Sequence, residues 1–217
     1  MNHYKTILFL IAVGVMLFSS ESCKKDDPNP VRKEVSILQD DFDTPEIWTI
    51  YKSDPSGFIA ISSSQFFSGG VLSLYAYQGE DCDRKKAERN FEITASIQET
   101  LNTSDTLFFD VTIMESSLSA SGNLTAVFQF NDLNLRLDLN KEYKEPTSIR
   151  VTLVNWVITE VIENETPIND YQITASKGIN TNSGVIISAD ACGADLYAEA
   201  SLVISHFELS YPKSTID

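Results

Sequence analysis

Glutamate side chains come closest to a catalytic arrangement in residues 159–167, which contain Glu160, Glu163 and Glu165. Hydrolysis of a glycosidic bond with retention needs two carboxyl groups about 5–5.5 Å apart, one acting as nucleophile and one as acid. Because neighbouring strand residues point to alternate faces, Glu160 and Glu163 lie on opposite sides of a regular strand. Glu163 and Glu165 share a side only if the strand continues into a segment with the composition of a turn. The segment therefore predicts a solvated hairpin tip.

The sequence also lacks the residues that other kinds of catalysis need. His206, the only histidine after residue 3, has neighbours that indicate an ordinary strand position and not a general base. The sequence has no Gly-x-Ser-x-Gly nucleophile elbow before a helix. Gly69 and Gly70 are not followed by the Lys-Ser/Thr of a phosphate-binding loop. We therefore expect a protein without enzymatic activity and without catalytic residues.

A binding surface is the remaining possibility for chemistry. In residues 71–77, aliphatic side chains alternate with Ser73, Tyr75 and Tyr77, so burial of the aliphatic face would present both tyrosines to solvent. Aromatic rings pack against the C–H faces of sugars, and polar side chains hydrogen-bond the hydroxyl groups. Alternatively, the tyrosines pack under a loop or fill the second sheet, because aromatic residues favour strands without any ligand. With polar partners from other strands, the candidate ligand-binding residues are Tyr75, Tyr77, Arg136, Asp138 and Arg150.

The N-terminus has the order of an export signal. Lys5 precedes an apolar or small run over residues 7–18, and Ser19, Ser20 and Ser22 follow it. The run is shorter than the roughly 20 apolar residues of a membrane-spanning helix, and it has the length of a signal-peptide core. We predict a signal peptide over residues 1–22, with a buried core helix as the alternative.

Cys23 and the charged residues 24–27 resemble the lipobox of bacterial lipoproteins and the start of many mature Bacteroidetes lipoproteins. The resemblance implies lipidation of the Cys23 thiol, with acyl chains such as palmitate in the outer membrane and the protein facing the cell exterior. Each buried methylene of an acyl chain contributes about 0.8 kcal/mol to anchoring. Prolines and charged residues follow the cysteine, so residues 23–34 are predicted to be an extended tether.

With Cys23 lipidated, Cys82 and Cys192 remain as an even pair in acidic, turn-like segments. An exported protein meets an oxidising compartment, so we expect a disulfide between them. The alternative is two unpaired thiols. Neither cysteine has a histidine or a further cysteine near it in the sequence, so a metal site is not expected.

Composition limits the partners of the exported part. Residues 35–217 suffice for one domain with a substantial core. The chain has 31 acidic and 16 basic residues, which gives a formal net charge of −15. Nucleic-acid binding depends on cationic contacts to phosphate, so this composition argues against it, and the same charge is repelled by an anionic lipid surface. The simplest role of the charge is solubility.

Period-2 alternation dominates the exported part. Residues 133–140 alternate strictly between apolar and polar side chains, as a half-buried strand does. Asn131 and Asp132 suit a two-residue hairpin turn before them, and residues 96–101 do not support a confident helix. Trp48 and Trp156 are expected in the core. Further strand-like segments, separated by turn residues, cover 106–114, 124–130, 148–154, 184–189 and 200–211. The pattern predicts an all-β, two-sheet antiparallel sandwich of jelly-roll type.

The two ends of this domain carry a family resemblance. Residues 40–48, Asp-Asp-Phe-Asp-Thr-Pro-Glu-Ile-Trp, are similar to the opening of many concanavalin-A-like and carbohydrate-binding jelly rolls. Residues 201–210 look like the closing strand of those domains, and 106–113 like an inner strand. The resemblance implies that the closing strand pairs beside the first. The closing strand of those domains often has an aspartate at the position of Ser205 or His206. Because this sequence lacks that aspartate, the resemblance argues against a structural calcium. If a calcium ion were bound, Asp41, Asp43 and Glu208 could supply its oxygen ligands.

These observations favour a non-catalytic cell-surface lipoprotein that binds glycan or another extracellular ligand and needs no cofactor. One alternative is a structural or interaction subunit that docks onto an outer-membrane protein complex. A divergent glycoside hydrolase is the third hypothesis, and the absence of a paired-carboxylate motif argues against it.

Overall fold

The computed structural model describes residues 33–54, 57–78, 81–92, 94–119, 121–130, 133–169, 172–177, 183–192 and 198–213. The chain divides into two units, one of residues Glu34–Lys213 and one of Met1–Lys33 with Ser214–Asp217. The predicted signal peptide, Cys23 and all but the end of the tether lie outside the described residues, as do Asn131 and Asp132. Within the described part of the chain, no helix has the length and apolar character needed to cross a bilayer.

Strands make up most of the described residues of the unit Glu34–Lys213, which also include the α-helix Ala95–Thr103 and short 3₁₀ turns at Pro45–Ile47 and Ser64–Phe66. In chain order the elements are β1 (Glu34–Asp40), β2 (Thr49–Asp54), β3 (Gly57–Ile61), β4 (Leu72–Tyr77), β5 (Asp83–Asn90), α1 (Ala95–Thr103), β6 (Thr106–Leu118), β7 (Gly122–Phe130), β8 (Leu133–Asp138), β9 (Thr147–Val154), β10 (Val157–Glu163), β11 (Thr166–Pro167), β12 (Ile173–Lys177), β13 (Gly184–Ala191) and β14 (Glu199–Pro212).

The strands form two antiparallel sheets, so the predicted all-β sandwich is confirmed. The first sheet has the order β1-β14-β6-β9-β10-β11, with β4 also paired to β14. The second sheet has the order β12-β8-β7-β13-β5-β2-β3. Phe130 at the end of β7 pairs with Leu133 at the start of β8, as the predicted two-residue connection requires.

The closing strand β14 pairs beside the first strand, as the resemblance implied. Phe207 of β14 lies opposite Asp40 of β1. Further along the same strand, Ile204 lies opposite Leu72 of β4. The other edge of β14 pairs with β6. A single long strand therefore joins the beginning of the domain to β4 within one sheet.

The core lies between the two sheets and is built by the inward residues of alternating strands. Leu135 and Leu137 of β8 are fully buried, as the strict alternation of residues 133–140 predicts. Phe109 of the first sheet and Phe128 of the second meet across the interface with ring centroids 4.1 Å apart. Phe128 also packs at 5.5 Å against Phe207 of β14. Such aromatic pairs add to the free energy gained by burial alone.

The opening segment turns around the buried carboxylate of Asp40. Its Oδ1 accepts a hydrogen bond from the Phe42 amide at 2.6 Å, and its Oδ2 accepts one from Trp48 Nε1 at 3.0 Å. Arg89 of the second sheet pairs with the same carboxylate. Phe42 takes a left-handed conformation, with φ of 57°, which is unusual for a large side chain. Trp48 lies in the core, as predicted.

The helix α1 occupies residues for which apolar spacing indicates no confident helix. Its only buried residue in the structure is Leu101. The sequence of this helix therefore lacks the apolar stripe by which an amphipathic helix is predicted. The start of the helix is set by Thr94, whose side-chain oxygen accepts a hydrogen bond from the Ile97 amide at 3.3 Å. This N-cap satisfies a backbone donor that the first helical turn leaves unpaired.

Residues 159–167 form a hairpin tip, as predicted. Asn164 and Glu165 have φ of 45° and 67°, the left-handed conformations of a two-residue turn between antiparallel strands. Glu163 forms an ion pair with Lys141 at 2.9 Å, and Glu165 is exposed. The preceding hairpin turns at Trp156, which is partly buried against the core and not enclosed by it.

Candidate functional site

The two predicted binding tyrosines lie on the outer face of the first sheet. Leu72, Leu74 and Ala76 of β4 are at most 1% exposed, whereas Tyr75 and Tyr77 are 52% and 43% exposed. The outward presentation predicted from alternation is therefore confirmed. Whether either ring contacts a ligand is a separate question, because presentation alone does not make a binding site.

Arg150 lies on the same outer face but is held by two carboxylates. Its guanidinium donates to both oxygens of Asp110 at 2.7 and 2.9 Å and to both oxygens of Glu34 at 2.9 and 3.0 Å. The hydrogen bonds to Asp110, and then those to Glu34, raise the pKa of Arg150 despite its partial burial. The side chain therefore links β1, β6 and β9, and the donors that a ligand would need are engaged.

Arg136 and Asp138 lie on β8 of the second sheet, whose outer face points away from that of the first. The Nε atom of Arg136 donates to Asp138 at 2.8 Å. The structure therefore divides the five predicted ligand-binding residues, with Tyr75, Tyr77 and Arg150 on one sheet and the other two on the opposite sheet.

The outer face of the second sheet carries a row of polar side chains in cross-strand register. Asp138, Thr125, Ser188, Lys86 and Tyr51 are consecutive partners across five strands. At a strand spacing of about 4.8 Å, the row spans roughly 19 Å. We call this surface the recessed face; its side chains are Tyr51, Phe58, Arg84, Lys86, Glu88, Thr125, Arg136, Asp138, Ser188 and Asp190.

Exposure along this surface shows that its centre is lower than its rim. Thr125 points outward from a central strand, yet it is only 5% exposed, and it hydrogen-bonds the Ser188 hydroxyl at 2.6 Å. Towards the rim, the side chain of Arg136 is 47% exposed, and Phe58 is 47% exposed. A shallow depression with polar groups on its floor follows from these values.

Aromatic rings border the recessed face at its β2–β3 side. The Nζ atom of Lys86 lies 4.5 Å from the centre of the Tyr51 ring and 5.4 Å from that of Phe58. The same ammonium group pairs with Glu88 at 3.0 Å. The lysine therefore holds the two rings and the carboxylate in one cluster through cation–π and ion-pair contacts.

Asp190 is the partly buried carboxylate of the recessed face. Burial raises its pKa, while the positive charges of Arg84 and Arg136 act in the opposite direction. Arg84 is its direct partner on β5, and Arg136 approaches from the other side, on β8. The charges of two guanidinium groups thus act on one carboxylate of the recessed face.

A cleft of about 800 Å³ adjoins the recessed face at the turn end of the β2–β3 hairpin, beside Asp54 and Gly57. The disulfide between Cys82 and Cys192 lies beside it, with the two Cα atoms 4.7 Å apart, and it is the pairing that the sequence predicts. Phe58 and Arg84 belong to both surfaces, so the two are continuous. We call this space the hairpin cleft; its walls include Ser53, Phe58, Ile59, Tyr77, Asp81 and Arg84.

Of the residues considered as calcium ligands, Asp41 and Glu208 lie beside His206, and Asp43 lies elsewhere. His206 Nδ1 lies 2.5 Å from Asp41 Oδ1, and its Nε2 lies 3.9 Å from Glu208. Asp43 lies beside Gly70 instead. Across the described residues, no group of three or more His, Cys, Asp and Glu side chains is placed to hold a metal ion.

Sequence reasoning overlooks several side chains of the recessed face. Ser188 alternates with buried residues on the predicted strand 184–189, so its outward position could have been identified, whereas Asp190 lies one residue past the predicted end. Lys86 is missed because its strand is not predicted from the sequence. The sequence of β5 is Asp-Arg-Lys-Lys-Ala-Glu-Arg-Asn, in which Ala87 is the one apolar residue. A strand with so little apolar content gives no alternation signal.

Comparison with known proteins gives likeness of fold only. No family model matches the chain, and no curated protein matches it in sequence. The carbohydrate recognition domain of Emp47p is 12% identical, with a TM-score of 0.44 over 85% of this chain and 100% of that one. A β-1,3-glucanase from Mycobacterium marinum is 9% identical, with a TM-score of 0.49 over 81% of this chain and 98% of that one. A glycosyl hydrolase family protein from Mycobacterium fortuitum is 10% identical, with a TM-score of 0.45 over 81% and 99%. Superpositions this loose carry no argument about function.

Proposed function

We propose that this protein is a non-catalytic lipoprotein of the bacterial outer membrane that binds glycan through the recessed face. Lipidated Cys23 anchors it, and the sandwich faces the cell exterior. The observation that supports glycan binding is the registered row from Asp138 to Tyr51, which places hydrogen-bonding groups and an aromatic ring along one shallow depression.

The chemistry of this surface suits a sugar chain. Sugar hydroxyl groups both donate and accept hydrogen bonds, and the floor offers hydroxyl groups, carboxylates and cations side by side. The rings of Tyr51 and Phe58 offer apolar faces for sugar C–H groups. Since the row is roughly 19 Å long, it has room for more than one sugar ring.

The carboxylates of the recessed face support binding better than hydrolysis. Glu88 is paired with Lys86, and Asp138 is paired with Arg136, so each already has a cationic partner. Glu88, Asp138 and Asp190 lie on three different strands, which is not the close pair on one strand face that the glycosidases of this fold use.

A glycan-retention experiment with matched variants tests the proposal. We expect the wild type to be retained on at least one immobilised polysaccharide of a broad panel. Arg136→Ala and Tyr51→Ala should each weaken retention about tenfold, the effect of losing one hydrogen-bonding or stacking contact. Tyr75→Ala is the control, because it removes an exposed ring from the other sheet. A loss confined to Tyr75→Ala would move the site to the first sheet, and a wild type retained on nothing would contradict the proposal.

Docking onto an outer-membrane protein complex is the second candidate function. β3 is an edge strand of its sheet, and it exposes Phe58 and Ile59 by 47% and 45%. Exposed apolar edge strands readily pair with another chain. Crosslinking on intact cells, with and without Ile59→Lys, tests this candidate, since a specific outer-membrane adduct should disappear in the variant.

A further inference from the structure

We infer that the recognised glycan is acidic and that the hairpin cleft holds one of its uronic-acid residues, with the sugar carboxylate on Arg84. This inference rests on the proposed glycan-binding function and specifies its ligand. It names the chemical class of the sugar and the side chain that selects it.

Arg84 is held in a fixed position, and among the described residues no carboxylate forms an ion pair with its guanidinium. Its backbone amide donates to Ser53 Oγ at 3.0 Å, and Ser53 Oγ donates to the Cys82 carbonyl at 3.2 Å. Its Nε donates to Cys192 Sγ at 3.2 Å. These contacts orient the guanidinium beside the disulfide, and within the described part of the chain no acceptor engages its Nη1 and Nη2 donors.

The other arginines differ from Arg84 in this respect. Among the described residues, Arg89, Arg136 and Arg150 each form an ion pair with a carboxylate. No described carboxylate lies within ion-pair distance of Arg84, and Asp190 acts on it from farther away. A guanidinium fork of this kind matches a carboxylate ligand, to which it can donate two parallel hydrogen bonds.

The lining of the cleft includes three aspartates, Asp54, Asp81 and Asp83, beside the cations Arg84 and Lys52, and of these Asp54 and Asp83 are already engaged. Asp83 already accepts hydrogen bonds from Lys85 at 2.5 and 2.6 Å and from the Tyr77 amide at 3.1 Å. Lys52 adds a second cation to the lining. Asp81, also in the lining, can accept hydrogen bonds from sugar hydroxyl groups.

Two aromatic side chains contribute to the apolar part of the walls. Tyr77 and Phe58 are 43% and 47% exposed in the cleft, and their faces can cover the C–H side of a sugar ring. A uronic acid carries a carboxylate, hydroxyl groups and an apolar ring face on one residue, which are the three features that Arg84, Asp81 and these rings select. A neutral sugar would leave Arg84 without a carboxylate to pair with.

The test compares polygalacturonate with its fully methyl-esterified form, which keeps the chain and removes the charge. A panel of neutral polysaccharides is run beside them with the full-length protein. We expect polygalacturonate to bind at least tenfold more tightly than the ester, and the difference to shrink at high salt. Arg84→Gln should lose about tenfold in affinity for the acid and little for the ester.

Lys144→Gln provides the matched control, because it removes the same charge from a side chain that is 86% exposed and distant in sequence from the cleft walls. It should bind both polymers as the wild type does. Equal affinity of the wild type for acid and ester, or an equal loss on both in Arg84→Gln, would overturn the inference. Binding to neutral polysaccharides alone would overturn it and leave glycan binding intact, whereas binding to no polysaccharide would overturn both.

Discussion

Among the described charged residues, some form ion pairs that hold the fold, and others, such as Arg84, form none with a described carboxylate. Arg150 is occupied by Asp110 and Glu34, and Asp40 is occupied by three donors from Phe42, Trp48 and Arg89. Side chains used in this way contribute to stability, because a partner left alone would be a poorly solvated charge or donor. Arg84 belongs to the other class.

Replacing Asp40 by alanine should destabilise the protein strongly. The side chain is 4% exposed, and its loss leaves Arg89 and two hydrogen-bond donors without their acceptor. We expect the free energy of unfolding to fall by about 3 kcal/mol, measured by urea denaturation. Glu46→Ala, an exposed change in the same segment, should cost less than about 0.5 kcal/mol. Equal effects of the two variants would show that the Asp40 contacts do not stabilise the opening segment.

Asp190 should make stability depend on pH. Burial raises its pKa above the ordinary 3.8 in the folded protein, so the folded state holds this proton more tightly than the unfolded state does. Its contribution to stability therefore falls as pH rises through that pKa. Asp190→Asn cannot ionise, so it should be more stable than the wild type at pH 7 and similar to it below about pH 3.5. Urea denaturation at the two pH values checks this, and a less stable variant at pH 7 would show that attraction to the arginines outweighs burial.

At the scale of elements, β5 and β13 join the recessed face to the hairpin cleft. Asp83 of β5 pairs with Ala191 of β13, and the disulfide ties the chain next to both residues. From this region the side chain of Arg84 extends into the cleft. The side chain of Lys86, on the same strand, extends over the ring of Tyr51. The two neighbouring strands therefore set the distance between the ring cluster and the proposed acid-binding arginine.

Removing the disulfide should destabilise the whole domain. It closes a loop over a sequence separation of 110 residues, for which loop entropy predicts about 4–5 kcal/mol. We expect the double variant Cys82→Ser, Cys192→Ser to unfold at lower urea concentration than the wild type. Reductant should shift the wild type towards the variant and leave the variant itself unchanged. A wild type whose unfolding is insensitive to reductant would contradict the contribution of the bond.

On the scale of the whole molecule, charge and anchoring act together in the proposed function. A net charge of −15 opposes adsorption to anionic lipid, so in the proposed function attachment to a membrane depends on acyl chains on Cys23. The proposed acid recognition depends on Arg84 locally, against the charge of the whole chain.

Anchoring predicts a labelling result. The wild type grown with labelled palmitate should carry the label and fractionate with outer membranes, whereas Cys23→Ala should lose both properties. Cys82→Ser removes a different cysteine and should keep the label. Equal labelling of the wild type and Cys23→Ala would contradict lipidation at this position.

The amino-acid sequence by itself determined the all-β antiparallel sandwich, the alternation within β4 and β8, the hairpin tip at residues 159–167 and the expected pairing of Cys82 with Cys192. Each of these follows from alternation, turn composition or counting, which are local properties of the chain. The tertiary structure alone decided that Arg136 lies on the opposite sheet from Tyr75, that Arg150 is held by carboxylates, and that the charged β5 lies between β13 and β2. The physical reason is that alternation fixes which side chains share a face of one strand, whereas strand order depends on packing between residues far apart in the sequence. Arg84 illustrates the difference, because only the assembled sheets and the disulfide place its guanidinium in a cleft.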